Sequence, residues 1–275
     1  MNGFDSIAAA VKARSGLSLS ADKHYLVEAR LDPILKRRGL PNLGALADRL
    51  RLDAGLEAEV VEAMTTNETL FFRDGRPFDH LRDVVLPDLH ADRPKGAPLR
   101  IWSAAASTGQ EAYSLAILVS EMGPVLSGRR IEIVGTDIAK EPLKRAEEGL
   151  YSQFEVQRGL PARLLVKYFA KEETGWRIHR PLREMVRFRN WNLLSDLSGL
   201  GRFDVVFCRN VLIYFDHETK TRTLQAIARL MSPDGALYLG GAETILGIDC
   251  ALVPYAGSPG IFRKQVATPG LMPAR

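Results

Sequence analysis

A strand-like run, Leu99-Arg100-Ile101-Trp102-Ser103-Ala104, stops in a cluster of small residues, Ala105-Ala106-Ser107-Thr108-Gly109. A helix pattern (Ala112, Leu115, Ala116, Leu118, Val119) follows at once. Glu111 stands in the first turn of that helix, and Asp137 closes the next strand-like run about 25 to 30 residues on. Small residues at a strand-to-helix turn let another molecule approach the backbone, and the free N–H groups at the helix start can bond to it. An acid closing the second strand of such a unit is placed to take ribose hydroxyls. The chemistry indicated is the holding of a nucleotide-like ligand at the carboxyl edge of a parallel sheet, although turns of small residues also arise from packing alone.

Two ligand classes compete for such a crevice. A dinucleotide fingerprint needs three glycines to seat a pyrophosphate on the helix start, and Ala105-x-Ser107-x-Gly109 has one. Glu111 would repel phosphate but could hold a cationic ammonium. S-adenosyl-L-methionine, which carries no phosphate, matches the turn better. Val253–Tyr255 and Gly260–Lys264 can form a closing hairpin of the kind seen in S-adenosylmethionine-dependent methyltransferases of the Rossmann-like class. Ala105, Gly109, Glu111 and Asp137 are the first cofactor candidates.

The elements that must position these residues can be read along the chain. Residues 1 to about 70 read as helix, with Ile7, Val11, Leu31, Leu46, Leu50, Val60 and Met64 at helical spacing. Glycine and proline clusters cut this region into short helices, and Ser20 and Asp22 are candidate caps for the second. That second helix is rich in cations: Lys23, Arg30, Lys36, Arg37 and Arg38. A solvated face is the bland account of them, and a docking face for an acidic partner the functional one. Met64–Asp74 is an unusual polar and aromatic junction, and the helix of 76–90 is expected to break at Pro87.

From Leu99 onward strand and helix alternate. Phe203–Cys208 is an almost continuous apolar run suited to a central parallel strand. Ser232–Gly235 reads as a turn between the helix 216–231 and a strand 236–241. Residues 155–185 have poor periodicity and read as a small satellite of antiparallel strands. The fold class expected is therefore α/β: a Rossmann-like class I methyltransferase sheet with a closing antiparallel hairpin, a preceding small all-helical domain and a small β subdomain insertion. The expected domains are 1–72, helical, and 73–264, the methyltransferase domain. The β subdomain spans 155–185, and a disordered tail covers 265–275.

Composition sets bounds on this. The 275 residues, 46% hydrophobic and 25% charged, describe an ordinary globular chain with a net charge of +4. No apolar run approaches the ~20 residues of a membrane span, and the first residues lack the basic and then apolar start of a signal peptide. Two cysteines, Cys208 and Cys250, are too few for a disulfide framework and lack metal-ligand spacing, so no metal is expected. A cytoplasmic location is the expectation.

Five segments carry a family resemblance: Thr66–Arg73, Trp102–Glu111, Gly135–Ile138, Trp191–Leu194 and Phe207–Phe215. In this order and spacing they closely resemble the chemotaxis receptor methyltransferases, the CheR family, over roughly residues 5 to 264. The resemblance implies methyl transfer from S-adenosyl-L-methionine to glutamate side chains of chemoreceptor helices. The products would be glutamyl methyl esters and S-adenosyl-L-homocysteine. It places Asn67, Thr69 and Arg73 on the cofactor from the junction, Glu111 and Asp137 after the first two strands, and Asn192, Leu193, Arg209 and Asn210 around adenine and sulfonium. Ala112 departs from the usual proline and touches only the helix start.

A carboxylate is already a nucleophile at neutral pH, so the reaction asks for orientation rather than a general base. By the same resemblance Arg73 and Tyr214 are the catalytic candidates, orienting the acceptor carboxylate. Receptor methylation helices are acidic, which turns Arg30, Lys36, Arg37 and Arg38 into docking candidates. The partners expected are cytoplasmic helices of methyl-accepting receptors, with no nucleic acid, no membrane insertion and a monomeric enzyme. The single-glycine stretch Tyr168–Trp176 looks short beside family members that bind a receptor C-terminal pentapeptide, so a pentapeptide-independent subtype is expected. A cofactor sensor without turnover and an amino-group methyltransferase of nucleic acid are the rival classes. The latter typically carry an Asn/Asp-Pro-Pro-aromatic segment where this chain has Arg209-Asn210-Val211-Leu212.

Overall fold

Apolar residues at helical spacing fold the N-terminal part into four helices: α1 (Gly3–Ser15), α2 (His24–Arg38), α3 (Leu43–Leu50) and α4 (Ala54–Met64). The computed structural model describes residues 3–265. Ile7, Val11, Val27, Leu31, Leu46, Leu56 and Val60 form a core separate from that of the sheet, each contributing about 1.5–3 kcal/mol by burial. Asn42 and Asp53 cap α3 and α4 by accepting the Ala45 and Leu56 N–H. Ser20 and Asp22 do not cap α2. A 3₁₀ turn over Ala21–Lys23 precedes it, and Ser20 hydrogen-bonds the Asp22 side chain, holding that carboxyl below its usual range.

After the junction, α5 (Arg76–His80), a π turn over Leu81–Val85 and α6 (Leu86–Asp92) make one helical stretch that passes through Pro87. The expected break does not occur. Pro87 sits at the start of α6, where a missing N–H costs nothing, and the Leu86 N–H reaches back to the Leu81 carbonyl.

The α/β part runs β1 (Leu99–Ala104), α7 (Gln110–Glu121), β2 (Ile131–Asp137), α8 (Lys140–Glu148), β3 (Leu150–Tyr151), α9 (Gln153–Gln157), α10 (Ala162–Tyr168) and β4 (Phe169–Glu172). It continues with β5 (Gly175–Ile178), α11 (Arg180–Met185), β6 (Val186–Asn190), β7 (Phe203–Cys208), α12 (His217–Leu230), β8 (Met231–Leu239), β9 (Leu252–Pro254) and β10 (Ile261–Lys264). The main sheet has the order β6-β2-β1-β7-β8-β10-β9, parallel from β6 to β8 and closed by antiparallel β10 and β9. The strand order reverses at β1, so its carboxyl end opens into a crevice. All six residues of β7 are buried, as expected of a central strand.

A second sheet has the order β3-β5-β4. Its strand β3 precedes the 155–185 span, being only two residues long and too short for periodicity to reveal. Three short helices, α9, α10 and α11, accompany it. Ser232–Gly235 is not a separate turn but part of β8, taken up where the register jumps between Phe203↔Met231 and Val205↔Ala236. The expectation of a disordered tail falls, beyond Gln265, outside the described residues. Among the described residues no helix is long and apolar enough to cross a membrane.

Candidate functional site

The turn after β1 is backbone under constraint. Ala105 and Ser107 take left-handed conformations, φ 60° and 51°, which side chains rarely adopt. The turn is held by the Ala106 N–H on the Thr136 carbonyl (2.9 Å) and the Ser107 N–H on Asp137 Oδ2 (2.8 Å). Asp137 Oδ1 accepts the Ala139 N–H at 2.9 Å, so both carboxylate oxygens are aimed before any ligand arrives. Burial pushes the Asp137 carboxyl above its ordinary range, opposed by those N–H bonds. Gly109 does not line the crevice. Its φ is +92°, and a Cβ there would stand 2.8 Å from the Ala146 Cβ and 3.1 Å from the Phe188 ring, so the glycine serves the packing of the α7 start against α8 and β6.

The junction forms the facing wall. Asn67, Thr69 and Arg73 line the crevice with Ala105, Glu111, Asp137, Arg209, Asn210 and Tyr214. Asn192 and Leu193 border a narrower lobe that shares Ala105 and Asp137 with it. Ser107 Oγ donates to the Asn67 carbonyl at 2.8 Å and ties the two walls together. Arg73 stands between two left-handed residues, Phe72 (φ 49°) and Asp74 (φ 67°), and its Nη1 donates to the Glu68 carbonyl at 3.3 Å. Such conformations cost about 1–3 kcal/mol each and persist only when surroundings enforce them. Ser114 Oγ accepts the Phe72 N–H at 2.9 Å, and Arg209 Nη2 donates to the Arg73 carbonyl at 3.0 Å.

Arg209 is the strut behind this wall. Its side chain is 1% exposed and pairs with Asp74 and, at 3.1 Å, with Glu111. Ser103 Oγ donates 2.8 Å to the other Glu111 oxygen. Burial raises the Glu111 carboxyl, and the Arg209 guanidinium pulls it back. The buried Arg209 Nε has no hydrogen-bond partner among the described residues. The charged lining is Glu68, Glu111 and Asp137 against Arg73 and Arg209, one negative charge in excess. That suits a ligand with a sulfonium and an ammonium and excludes a clustered phosphate site.

The docking candidates are already engaged. Arg30 donates to the Met64 carbonyl (2.7 Å), the Thr65 carbonyl (3.0 Å) and Thr66 Oγ1 (3.2 Å), so it holds the junction. Lys36 pairs with Asp32 at 2.7 Å, while Arg37 and Arg38 share Glu59. Two guanidiniums on one carboxylate leave net positive charge on that exposed face.

Sequence reasoning missed several contributors. Ser15 and Leu17, at the end of α1, line the crevice from the helical unit. Asn192 Nδ2 donates to the Arg14 carbonyl at 2.6 Å, and the Ser18 N–H to the Tyr214 carbonyl at 2.9 Å. Glu243 is 8% exposed and accepts the N–H groups of Asn210, Val211, Leu212, Ile213 and Gly240. No motif or periodicity marks it in the sequence. Asp74 could have been found from its place beside Arg73.

Comparison with known proteins bears on what this crevice serves. Residues 67–253 match the family described as CheR methyltransferase, SAM binding domain, and residues 2–65 the family described as CheR methyltransferase, all-alpha domain. The chain is 38% identical over 267 residues to the chemotaxis protein methyltransferase Cher2 of Pseudomonas putida, covering 94% of this chain and 96% of that one. It is 40% identical over 268 residues to chemotaxis protein methyltransferase 1 of Pseudomonas aeruginosa, covering 95% and 97%. With chemotaxis protein methyltransferase 1 of Vibrio cholerae the identity is 36% over 262 residues, covering 92% and 93%.

Proposed function

The chain belongs to the CheR methyltransferase family, and we propose from that premise how its own residues carry the reaction. It is an S-adenosylmethionine-dependent methyltransferase of chemotaxis adaptation that acts on glutamates of chemoreceptors. When bound, S-adenosylmethionine supplies an electrophilic methyl group on a sulfonium and leaves as S-adenosylhomocysteine. A glutamate oxygen forms the new bond to carbon, the carbon–sulfur bond breaks, and no proton has to move. The acceptor is ionised at neutral pH, so the enzyme needs no base.

The residues divide the work by chemistry. Asp137 holds the ribose hydroxyls. Ala105 and the neighbouring backbone leave room for the ligand, with Asn192 and Leu193 beside the adenine. Glu111, backed by Arg209, meets the amino-acid end, and Asn67, Thr69 and Asn210 complete the wall. Arg73 and Tyr214 orient the acceptor carboxylate, stripping part of its water without so firm a grip that it stops being a nucleophile. The observation that carries this assignment is Arg73, set between two left-handed residues, lining the same crevice as Asp137. Mass spectrometry of receptor peptides after incubation with S-adenosylmethionine tests it. A 14-Da increment on glutamate is expected, and its absence with every receptor helix offered would sink the assignment.

Residues 1–72 act as the receptor-docking unit and 73–264 as the catalytic unit, in a monomeric cytoplasmic enzyme that meets the cytoplasmic helices of its receptors. Lys36, Arg37 and Arg38 present positive charge to an acidic receptor helix, with Arg30 holding the junction behind them. Reversing Arg37 and Arg38 to glutamate is expected to lower kcat/KM for receptor ~10-fold at low salt and less at high salt, because steering between exposed charges is screened. Affinity for S-adenosylmethionine should not change. Equal kcat/KM in the variant would return this face to mere solvation.

The hairpin of β4 and β5 turns through only Glu173 and Thr174 between the paired Glu172 and Gly175. That tight connection supports the pentapeptide-independent subtype. Calorimetric titration with a receptor C-terminal pentapeptide is expected to give no saturable heat, and micromolar binding would contradict the subtype.

A further inference from the structure

We propose that Glu243 is a positioning residue for methyl transfer, its carboxylate fixing the loop that carries Asn210 and Tyr214 into the crevice. Strands β7 and β8 lie side by side, with Cys208 opposite Leu239, so the loops after them leave the sheet together. Glu243, in the second loop, reaches across to the first. Its Oε1 accepts the N–H groups of Val211 (3.0 Å), Leu212 (2.8 Å) and Ile213 (3.2 Å), and its Oε2 those of Asn210 (2.9 Å) and Gly240 (2.6 Å). Asn210 is left-handed at φ 59° and Val211 follows at φ −121°, ψ −39°. That alternation gathers successive N–H groups into an anion-binding concavity. Here the anion belongs to the chain itself, and among the described residues its hydrogen bonds come from backbone alone.

The consequence reaches Tyr214 through one short turn. The Tyr214 N–H bonds to the Val211 carbonyl at 3.2 Å, so the last residue of the 3₁₀ turn is continuous with the four anchored N–H groups. From the other side the Ser18 N–H holds the Tyr214 carbonyl. Glu243 therefore sets the height of the turn and Ser18 closes it. Without the carboxylate, four converging N–H groups would have to find water or another acceptor, and the turn would move.

The assignment rests on Tyr214 being a rate-determining contact to the acceptor, so the test separates the two. In Glu243→Gln one oxygen becomes an NH₂ facing N–H groups that need an acceptor. The expected result is a kcat for receptor methylation ~10- to 100-fold lower, as for a contact displaced by about an ångström. The KM for receptor should be unchanged, and the Kd for S-adenosylmethionine should rise only a few-fold through the shift of Asn210, far less than kcat falls. In the Tyr214→Phe background the same substitution should cost nothing further. Full activity of Glu243→Gln beside a slow Tyr214→Phe overturns the proposal but leaves the site intact, as do losses that simply add in the double variant. Full activity of Tyr214→Phe overturns the site assignment itself. Should Glu243→Gln fail to fold, Gly240→Ala takes its place. A Cβ at Gly240 would stand 2.8 Å from Glu243 Oε2 and 3.0 Å from the Asn210 nitrogen, pushing the two apart without removing the charge. A smaller loss of kcat with the same unchanged KM is then expected, and an unaltered kcat refutes the role.

Discussion

Replacing Arg73 by alanine is expected to slow receptor methylation ~100-fold while leaving the affinity for S-adenosylmethionine within a few-fold. The backbone around Arg73 is held too firmly for the loss to spread. Phe72 bonds to Ser114, and Arg209 bonds to both the Arg73 carbonyl and Asp74, so the only wall bond that goes with the guanidinium is the one from Arg73 Nη1 to the Glu68 carbonyl at 3.3 Å. What disappears is the planar pair of donors that can face both oxygens of an acceptor carboxylate. Lysine at this position offers charge without the fork and should recover only part of the rate. Initial rates with a radiolabelled methyl group, set beside binding calorimetry, decide the matter. A near-normal kcat in Arg73→Ala would take the residue off the catalytic list.

The second large effect is expected at Asp137. Both of its oxygens already accept a backbone N–H, and each keeps a lone pair for the ligand. Asp137→Asn sets an NH₂ against the N–H of Ser107 or Ala139, so the loss includes the pre-formed turn as well as the ribose contact. A loss of about 3 kcal/mol, ~100-fold in Kd, is the expected size. The wild-type protein should also show a pH dependence of its own. Burial is the larger influence on this carboxyl and raises it, so the acid takes up its proton at a higher pH than an exposed aspartate, whose pKa is about 3.9. A raised carboxyl favours the protonated folded state, so acid weakens ligand affinity here without costing the fold any stability through this group. Affinity is complete well above that pKa and falls as pH drops through it, and the Asn variant should lack this step. Calorimetry across the acid range measures both, and an affinity in Asp137→Asn equal to wild type would contradict the role.

How far the sequence spoke depended on the range of the contact involved. The turn Ala105–Gly109, the acid at Asp137 and the apolar β7 are local features, written in neighbouring residues and legible as such. Gly109 shows the limit, since a glycine beside a ligand turn and a glycine packed under Ala146 and Phe188 read alike. Arg209 was expected at the ligand, and its side chain is spent chiefly on Asp74 and Glu111, partners 135 and 98 residues away. Arg30 reads as one more cation on a charged helix, yet it holds carbonyls 34 and 35 residues ahead. Glu243 lay beyond local reasoning altogether, because its partners are backbone groups that any residue types could supply. The short β3 and the π turn before Pro87 were hidden for a different reason, being shorter than the periods by which strands and helices are read.

The order of strands in the sheet also dictates when, during synthesis, the crevice comes into being. β1 meets β2 as soon as the first strand–helix–strand unit has emerged, so Asp137 and the Ala105–Gly109 turn can stand early, beside a helical unit already complete. The other side of β1 waits for β7, made some hundred residues later, and the Arg209–Tyr214 loop waits longer still for Glu243. A nascent chain thus exposes the flank of β1 and offers a ribose wall faced by the junction alone, without the Arg209–Tyr214 loop. S-adenosylmethionine can assist the folding of this protein only once the chain has emerged through Glu243.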